Sequence, residues 1–172
     1  MLFLMTTVSQ RLRDEHAEIL PHVEEIRALA DSVTTAAPEE LRDGIRQVEA
    51  FLTKQLLPHA AAEEKVLYAA ISDVAGGPLF VVLMSRDHAE MREFAEECSW
   101  ILSQMGRGSV TPGLANAARR VLYGLYALLR LHLAKEDEIC TSVLDEAMTA
   151  AEAGALFQKM GEATGSGRTG KS

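Results

Sequence analysis

Apolar residues recur along the chain at the three- and four-residue spacing of a helix face. Between Val8 and Val33 they fall at Val8, Leu12, Ile19, Val23, Ile26 and Leu29, with charged residues between them. This pattern predicts a first helix, with Ser9 as its N-cap and a kink at Pro21. A second block opens at Pro38-Glu39-Glu40, a proline suited to the first turn followed by acids that complement the helix dipole. It runs to about Val74, ahead of Gly76-Gly77-Pro78, and Pro58 interrupts it. A third block extends from about Leu79 to Met105 and stops at Gly106-Arg107-Gly108; a fourth extends from Pro112 to about Ala147, followed by a short amphipathic segment to Met160. Helices of this size would be roughly 40–55 Å long at about 1.5 Å per residue. The links between them are short, which favours antiparallel neighbours. The expected fold is therefore all-α: an up-down-up-down antiparallel four-helix bundle with a short C-terminal helix.

The bundle is expected to occupy residues 1–160, and residues 161–172, rich in Gly and Ser, are expected to form a disordered tail. The tail contains Gly165-Ser166-Gly167-Arg168-Thr169-Gly170-Lys171-Ser172, which fits the phosphate-loop expression GxxxxGK[ST]. A phosphate loop works because its amides cradle the anion at the start of a helix that follows a strand. Neither a strand before it nor a helix after it is expected here, so nucleotide binding is set aside.

Composition changes this picture little. The 172 residues are 48% hydrophobic and 24% charged, the range of ordinary globular domains, and long enough for one core without metal or disulfides. Seventeen basic residues stand against 25 acidic ones, a formal charge of −8, with no basic cluster to track a phosphate backbone, so nucleic acid is not an expected partner. No stretch reaches the ~20 apolar residues of a membrane span. The apolar opening Met1-Leu2-Phe3-Leu4-Met5 lacks the charged flank of a signal peptide. The two cysteines, Cys98 and Cys140, are too few for a disulfide framework and too far apart for a CxxC site, so they read as buried small hydrophobes in a reducing, cytoplasmic setting. Trp100 and the seven Met residues read as core.

The chemistry lies in the placement of five histidines. His59 is followed four residues later by Glu63, and His132 by Glu136, so each of two helices offers an imidazole and a carboxylate on one face. That mixture suits iron, zinc, manganese or copper. A single His-xxx-Glu is weak evidence, since Glu-rich helices produce solvated pairs of this kind. The intervals are more specific: His16 to His88 spans 72 positions, and His59 to His132 and Glu63 to Glu136 each span 73. The flanking words agree as well, Asp14-Glu15-His16-Ala17-Glu18 against Arg86-Asp87-His88-Ala89-Glu90. The chain thus reads as a duplicated helical hairpin with one histidine on each of four helices. Leu12, Leu52, Leu56, Leu128 and Leu129 lie at helical spacing around these residues and predict a dry surrounding.

The set His16, His59-xxx-Glu63, His88 and His132-xxx-Glu136 resembles the hemerythrin-like (HHE) family, over roughly Gln10 to Leu144. The resemblance implies a four-helix bundle around two non-heme iron ions joined by an oxo or hydroxo bridge, with Glu63 and Glu136 bridging and the four histidines as terminal ligands. The E-x-x-H pattern of ferritin-like di-iron proteins is absent, because no histidine here has Glu three residues before it. Oxygen-carrying members use a further histidine four residues after the third-helix ligand, and that position here is Arg92. Simple oxygen carriage is therefore not the expectation. Fewer fixed ligands favour binding of, or reaction with, O2, H2O2 or NO, peroxide degradation of a catalase or peroxidase kind included. His22, six residues from His16 and next to Pro21, is a further candidate ligand. Tyr68, Tyr123 and Tyr126 are candidates for vacant positions or for hydrogen bonds to ligands, with core packing the simpler reading. Two other readings stay open: a non-catalytic sensor or iron-storage module, and a structural bundle holding zinc.

Overall fold

The computed structural model describes residues 8–75, 77–105 and 110–165, and among these the chain is helical with no strand. Five continuous helices follow one another: α1 at Val8–Ser32, α2 over residues 38–75, α3 at Leu79–Gln104, α4 over residues 112–147 and α5 at Ala150–Ala163. The predicted blocks agree with these to within a few residues at every end. Ser9, the expected N-cap, falls within α1 as described from Val8, and its side chain lies outside the described residues. Pro38 occupies the first turn of α2, and the Glu40 carboxylate accepts the Ala37 N–H. At α5, Thr149 and Glu152 form a reciprocal capping box, the Glu152 carboxylate accepting the Thr149 N–H at 2.8 Å. Helix α5 continues through Gly161 to Ala163, past the expected start of the tail. Residues 166–172, with most of the phosphate-loop match, lie outside the described residues.

Two of the long helices are not regular. Helix α2 contains π-helical segments at Leu52–Leu56 and Glu63–Leu67, and α4 contains one at Glu136–Cys140. Each is closed by a bond to the residue five positions on: Leu57 N–H to Leu52 C=O, Tyr68 N–H to Glu63 C=O, and Thr141 N–H to Glu136 C=O. The first ends beside Leu57-Pro58, where the proline already lacks one helix donor. Pro58 is therefore carried within α2 behind a π turn, and α1 likewise runs on through Pro21.

The described residues fall into two compact units. One takes residues up to Glu18, Pro58–Arg86, and residues from His132 on. Its core gathers Leu12, Leu67, Tyr68, Ile71, Met84, Cys140 and Leu144, and α5 completes it by burying Ala153, Leu156, Phe157 and Met160. These four lie at helical spacing, so one face of α5 is inserted and the other is solvated. The other unit takes Ile19–Leu57 and Asp87–Leu131, with Val23, Ile26, Leu41, Ile45, Leu52, Met91, Ile101, Leu122 and Leu125 fully buried within it. Leu12, Leu52, Leu56 and Leu129 are buried as expected, whereas Leu128 is only partly so. Cys98 and Cys140 are free and buried. Trp100 departs from the expectation of a core residue: its ring is 54% exposed, because Ile101 next to it takes the inward position on α3.

Candidate metal centre

Charged and titratable groups normally stay at the surface. Here His16, Glu63, His88, His132 and Glu136 are all at most 3% exposed, and the His59 side chain is 16% exposed. Two overlapping groups of donor atoms result. His16, His59 and Glu63 each present one donor within 4.8 Å of the others, and so do Glu63, His132 and Glu136 of the same unit; His88, in the other unit, is likewise buried. The four-residue spacing works as predicted, with His59 Nε2 2.9 Å from Glu63 Oε1 and His132 Nε2 3.5 Å from Glu136 Oε2. Glu136 Oε2 also lies 3.2 Å from His16 Nε2, so one carboxylate oxygen faces imidazoles from α1 and α4 together.

His16 Nε2, His59 Nε2 and Glu136 Oε2 are buried and have no hydrogen-bond partner among the described residues, despite nitrogen–oxygen distances that would allow one. The donor atoms of these side chains crowd one shared space. Such an arrangement is costly in a protein without a cation and is what a cation would satisfy. Imidazole nitrogens and carboxylate oxygens are moreover a fitting donor set for a divalent transition metal. The residues present therefore fit a metal centre.

The outer edges of two imidazoles face further carboxylates, one of them within hydrogen-bond reach. His16 Nδ1 lies 2.8 Å from Asp137 Oδ1, and His59 Nδ1 lies 3.8 Å from Glu15 Oε2. Tyr68, fully buried, donates its hydroxyl to Glu136 Oε1 at 2.5 Å. Of the three tyrosines considered from the sequence it is the one at the site. Tyr123 donates instead to Asp31 at the surface, and Tyr126 is half-buried on the same helix. Asp137 and Glu15 were not singled out by histidine spacing, although each is the immediate chain neighbour of a donor residue.

The carboxylates set the charge of these rings. Burial works against the imidazolium of His59, but Glu63, Glu15 and Glu136 more than offset it, and its pKa is raised to about 9. His16 moves the same way, burial again being outweighed by Glu136, Asp137 and Glu63. Burial pushes the Glu15 carboxyl up, against the pull of His59 and His16. The Tyr68 phenol is raised well above its ordinary value by burial and by Glu136 and Glu63, so its proton stays on oxygen and remains available for donation.

His22 lies outside both donor groups. Its side chain is 39% exposed, its Nδ1 meets Glu25 Oε2 at 3.1 Å, and its ring stacks against Phe51 at 4.6 Å between centroids. Arg92, at the position where oxygen carriers have a histidine, is exposed on α3.

Compared with curated proteins and with solved structures, the chain finds no match. Against family models the result is specific. Residues 7–144 match the hemerythrin HHE cation-binding domain, a span that takes in all six candidate ligands, and the chain belongs to that family.

Proposed function

We propose that this chain is a hemerythrin-like, non-heme di-iron protein that binds or reacts with a small oxidant, O2, H2O2 or NO. In this reading α1 to α4 assemble as an up-down-up-down antiparallel four-helix bundle, with α5 added at the end. His16, His59, His88 and His132 would hold the metal through imidazole nitrogens, and Glu63 and Glu136 would supply the shared carboxylates. The observation that carries the reading is the sharing of carboxylates: Glu63 belongs to both donor groups, and Glu136 Oε2 faces both His16 Nε2 and His132 Nε2. Two cations a few ångströms apart need shared anionic oxygens to offset their mutual repulsion.

When bound, an iron pair supplies ferrous–ferric redox chemistry toward an exogenous ligand. The chain's own residues do the rest. The histidines fix the donor directions, Tyr68 holds one oxygen of Glu136, and Leu12, Leu67 and Leu144 keep bulk water from the surrounding space. At the position where oxygen-carrying members have an additional third-helix imidazole stands the exposed Arg92, and fewer protein ligands favour binding of a small molecule. A reducing cytoplasm suits the two free, buried thiols, and among the described residues no helix is long and apolar enough to cross a membrane.

The test is metal quantification on the purified protein, with absorption spectra before and after O2, H2O2 and NO. Two irons per chain with a ligand-to-metal charge-transfer band that responds to an oxidant is the expected result. Rapid peroxide loss with evolved oxygen makes it an enzyme, whereas a stable adduct makes it a sensor or carrier. Stoichiometric zinc with a featureless spectrum, or no metal together with an unaltered His59→Ala variant, overturns the di-iron reading.

A further inference from the structure

Histidine spacing passes over Asp137, yet this residue grips one of the four imidazoles from outside. His16 is 1% exposed and both its ring nitrogens meet carboxylates: Nε2 lies 3.2 Å from Glu136 Oε2, and Nδ1 lies 2.8 Å from Asp137 Oδ1. The Nδ1 contact is a hydrogen bond, and Nε2 has no hydrogen-bond partner among the described residues. Glu136 and Asp137 are consecutive, and successive residues on a helix diverge by about 100°. Here the two neighbouring carboxylates address the two edges of one ring. Asp137 belongs to neither donor group and its carboxylate is 32% exposed, so it stands behind the imidazole, on the solvent side. Its main chain is secured by the Thr141 hydroxyl, which donates to the Asp137 carbonyl. Among the described residues His59 has no equivalent support, since Glu15 Oε2 lies 3.8 Å from its Nδ1, beyond hydrogen-bond reach.

We infer that Asp137 is the positioning residue for His16. It accepts the Nδ1–H, which fixes the tautomer whose Nε2 carries the lone pair, and it holds the ring with that lone pair aimed at the donor group shared with His59 and Glu63. Asp137 thereby sets the affinity of one cation position without touching the cation. This inference rests on the metal-centre reading above.

The experiment titrates metal-free protein with Zn2+ against a chromophoric chelator and records imidazole 15N–1H spectra of the zinc-loaded form. It compares the parent with Asp137→Ala, Asp137→Asn and the adjacent, exposed Glu138→Gln. The parent is expected to bind two equivalents, and Asp137→Ala to weaken one of them about 10- to 100-fold while sparing the other. Asp137→Asn, whose amide oxygen still accepts, restores part of that loss. The His16 Nδ1–H resonance, slow to exchange in the parent, is lost in Asp137→Ala and kept in Asp137→Asn, while Glu138→Gln changes neither readout. Should Asp137→Ala fail to fold, Asp137→Asn carries the comparison. Parent-like affinity at both positions with an intact resonance overturns the inference alone, as does an equal loss at both positions that Glu138→Gln reproduces. A parent that binds no zinc overturns the metal-centre reading and this inference with it.

Discussion

Tyr68→Phe removes a hydrogen bond to a buried carboxylate of the site. The ring is fully buried among Leu12, Ile71, Met84 and Cys140 and meets Phe80 edge-on at 6.3 Å. Phenylalanine keeps that packing, so no cavity of consequence opens. What is lost is the donation to Glu136 Oε1 at 2.5 Å. Removing a buried phenol hydroxyl relieves some desolvation, but the acceptor left behind decides the sign. Glu136 is 0% exposed, and its other oxygen has no hydrogen-bond partner among the described residues. Hydrogen bonds to charged groups contribute about 1.5–3 kcal/mol, so the metal-free variant should lose about 2 kcal/mol. At about 2–4 °C per kcal/mol for a chain of this size, the midpoint falls by about 4–8 °C. The assay is thermal unfolding of metal-free protein, with Tyr123→Phe as control. The Tyr123 hydroxyl donates to Asp31 in an exposed setting, and its removal should stay within about 0.5 kcal/mol. An unchanged or raised midpoint for metal-free Tyr68→Phe would refute the claim that this hydroxyl satisfies a buried carboxylate.

The pH dependence of the metal-free protein has a definite sign. His59 has a folded pKa of about 9 against an ordinary 6.5, and His16 is also raised. The folded state therefore holds extra protons between these values, and the stability they confer is complete below about pH 6.5 and lost as pH rises through about 9. Urea midpoints should fall across that window in metal-free protein; a rising midpoint would contradict it. Bound metal displaces the same protons, so zinc affinity should climb over the same range, as chelator competition would show. Phe157→Ala removes a side chain 6% exposed in the core under α5, over whose ring the Arg11 guanidinium sits at 5.6 Å. Urea unfolding should register a loss of about 3–5 kcal/mol. His22→Ala should leave metal stoichiometry unchanged, since His22 lies outside both donor groups; loss of one equivalent would return it to the ligand set.

The helices were legible because glycine and proline mark their ends. The fourth predicted block ends at Ala147, where α4 ends, and the third at Met105, one residue past α3. The six candidate ligands were legible for a different reason, the repeated 72- and 73-residue intervals, which single out positions that local pattern treats as ordinary polar sites. Asp137 was not legible, because its partner His16 lies 121 residues away and no interval relates the two. Trp100 misled because helical spacing assigns a face without saying how wide the buried stripe is; Ile101 is 1% exposed and Trp100, one position away, is 54% exposed.

The π segments extend the duplication from side chains to backbone. Glu63 opens one at Glu63–Leu67 and Glu136 opens another at Glu136–Cys140, the same 73-residue offset that relates His59 to His132. An apolar periodicity near 3.6 does not report an added residue in one turn, so neither segment is visible in the hydrophobic pattern. Their placement nevertheless follows from what each helix must do. Up to the glutamate, the inward face must carry His-xxx-Glu; beyond it, the inward face must carry Leu67, Tyr68 and Ile71 on α2, and Cys140 and Leu144 on α4. An extra residue re-phases a helix by about 100°, which lets one helix present donors in one turn and core in the next. The residue that closes each π turn then serves the site itself. Tyr68 donates to Glu136, and Thr141 donates to the carbonyl of Asp137. The irregular backbone and the carboxylates of the site are thus one construction, made twice.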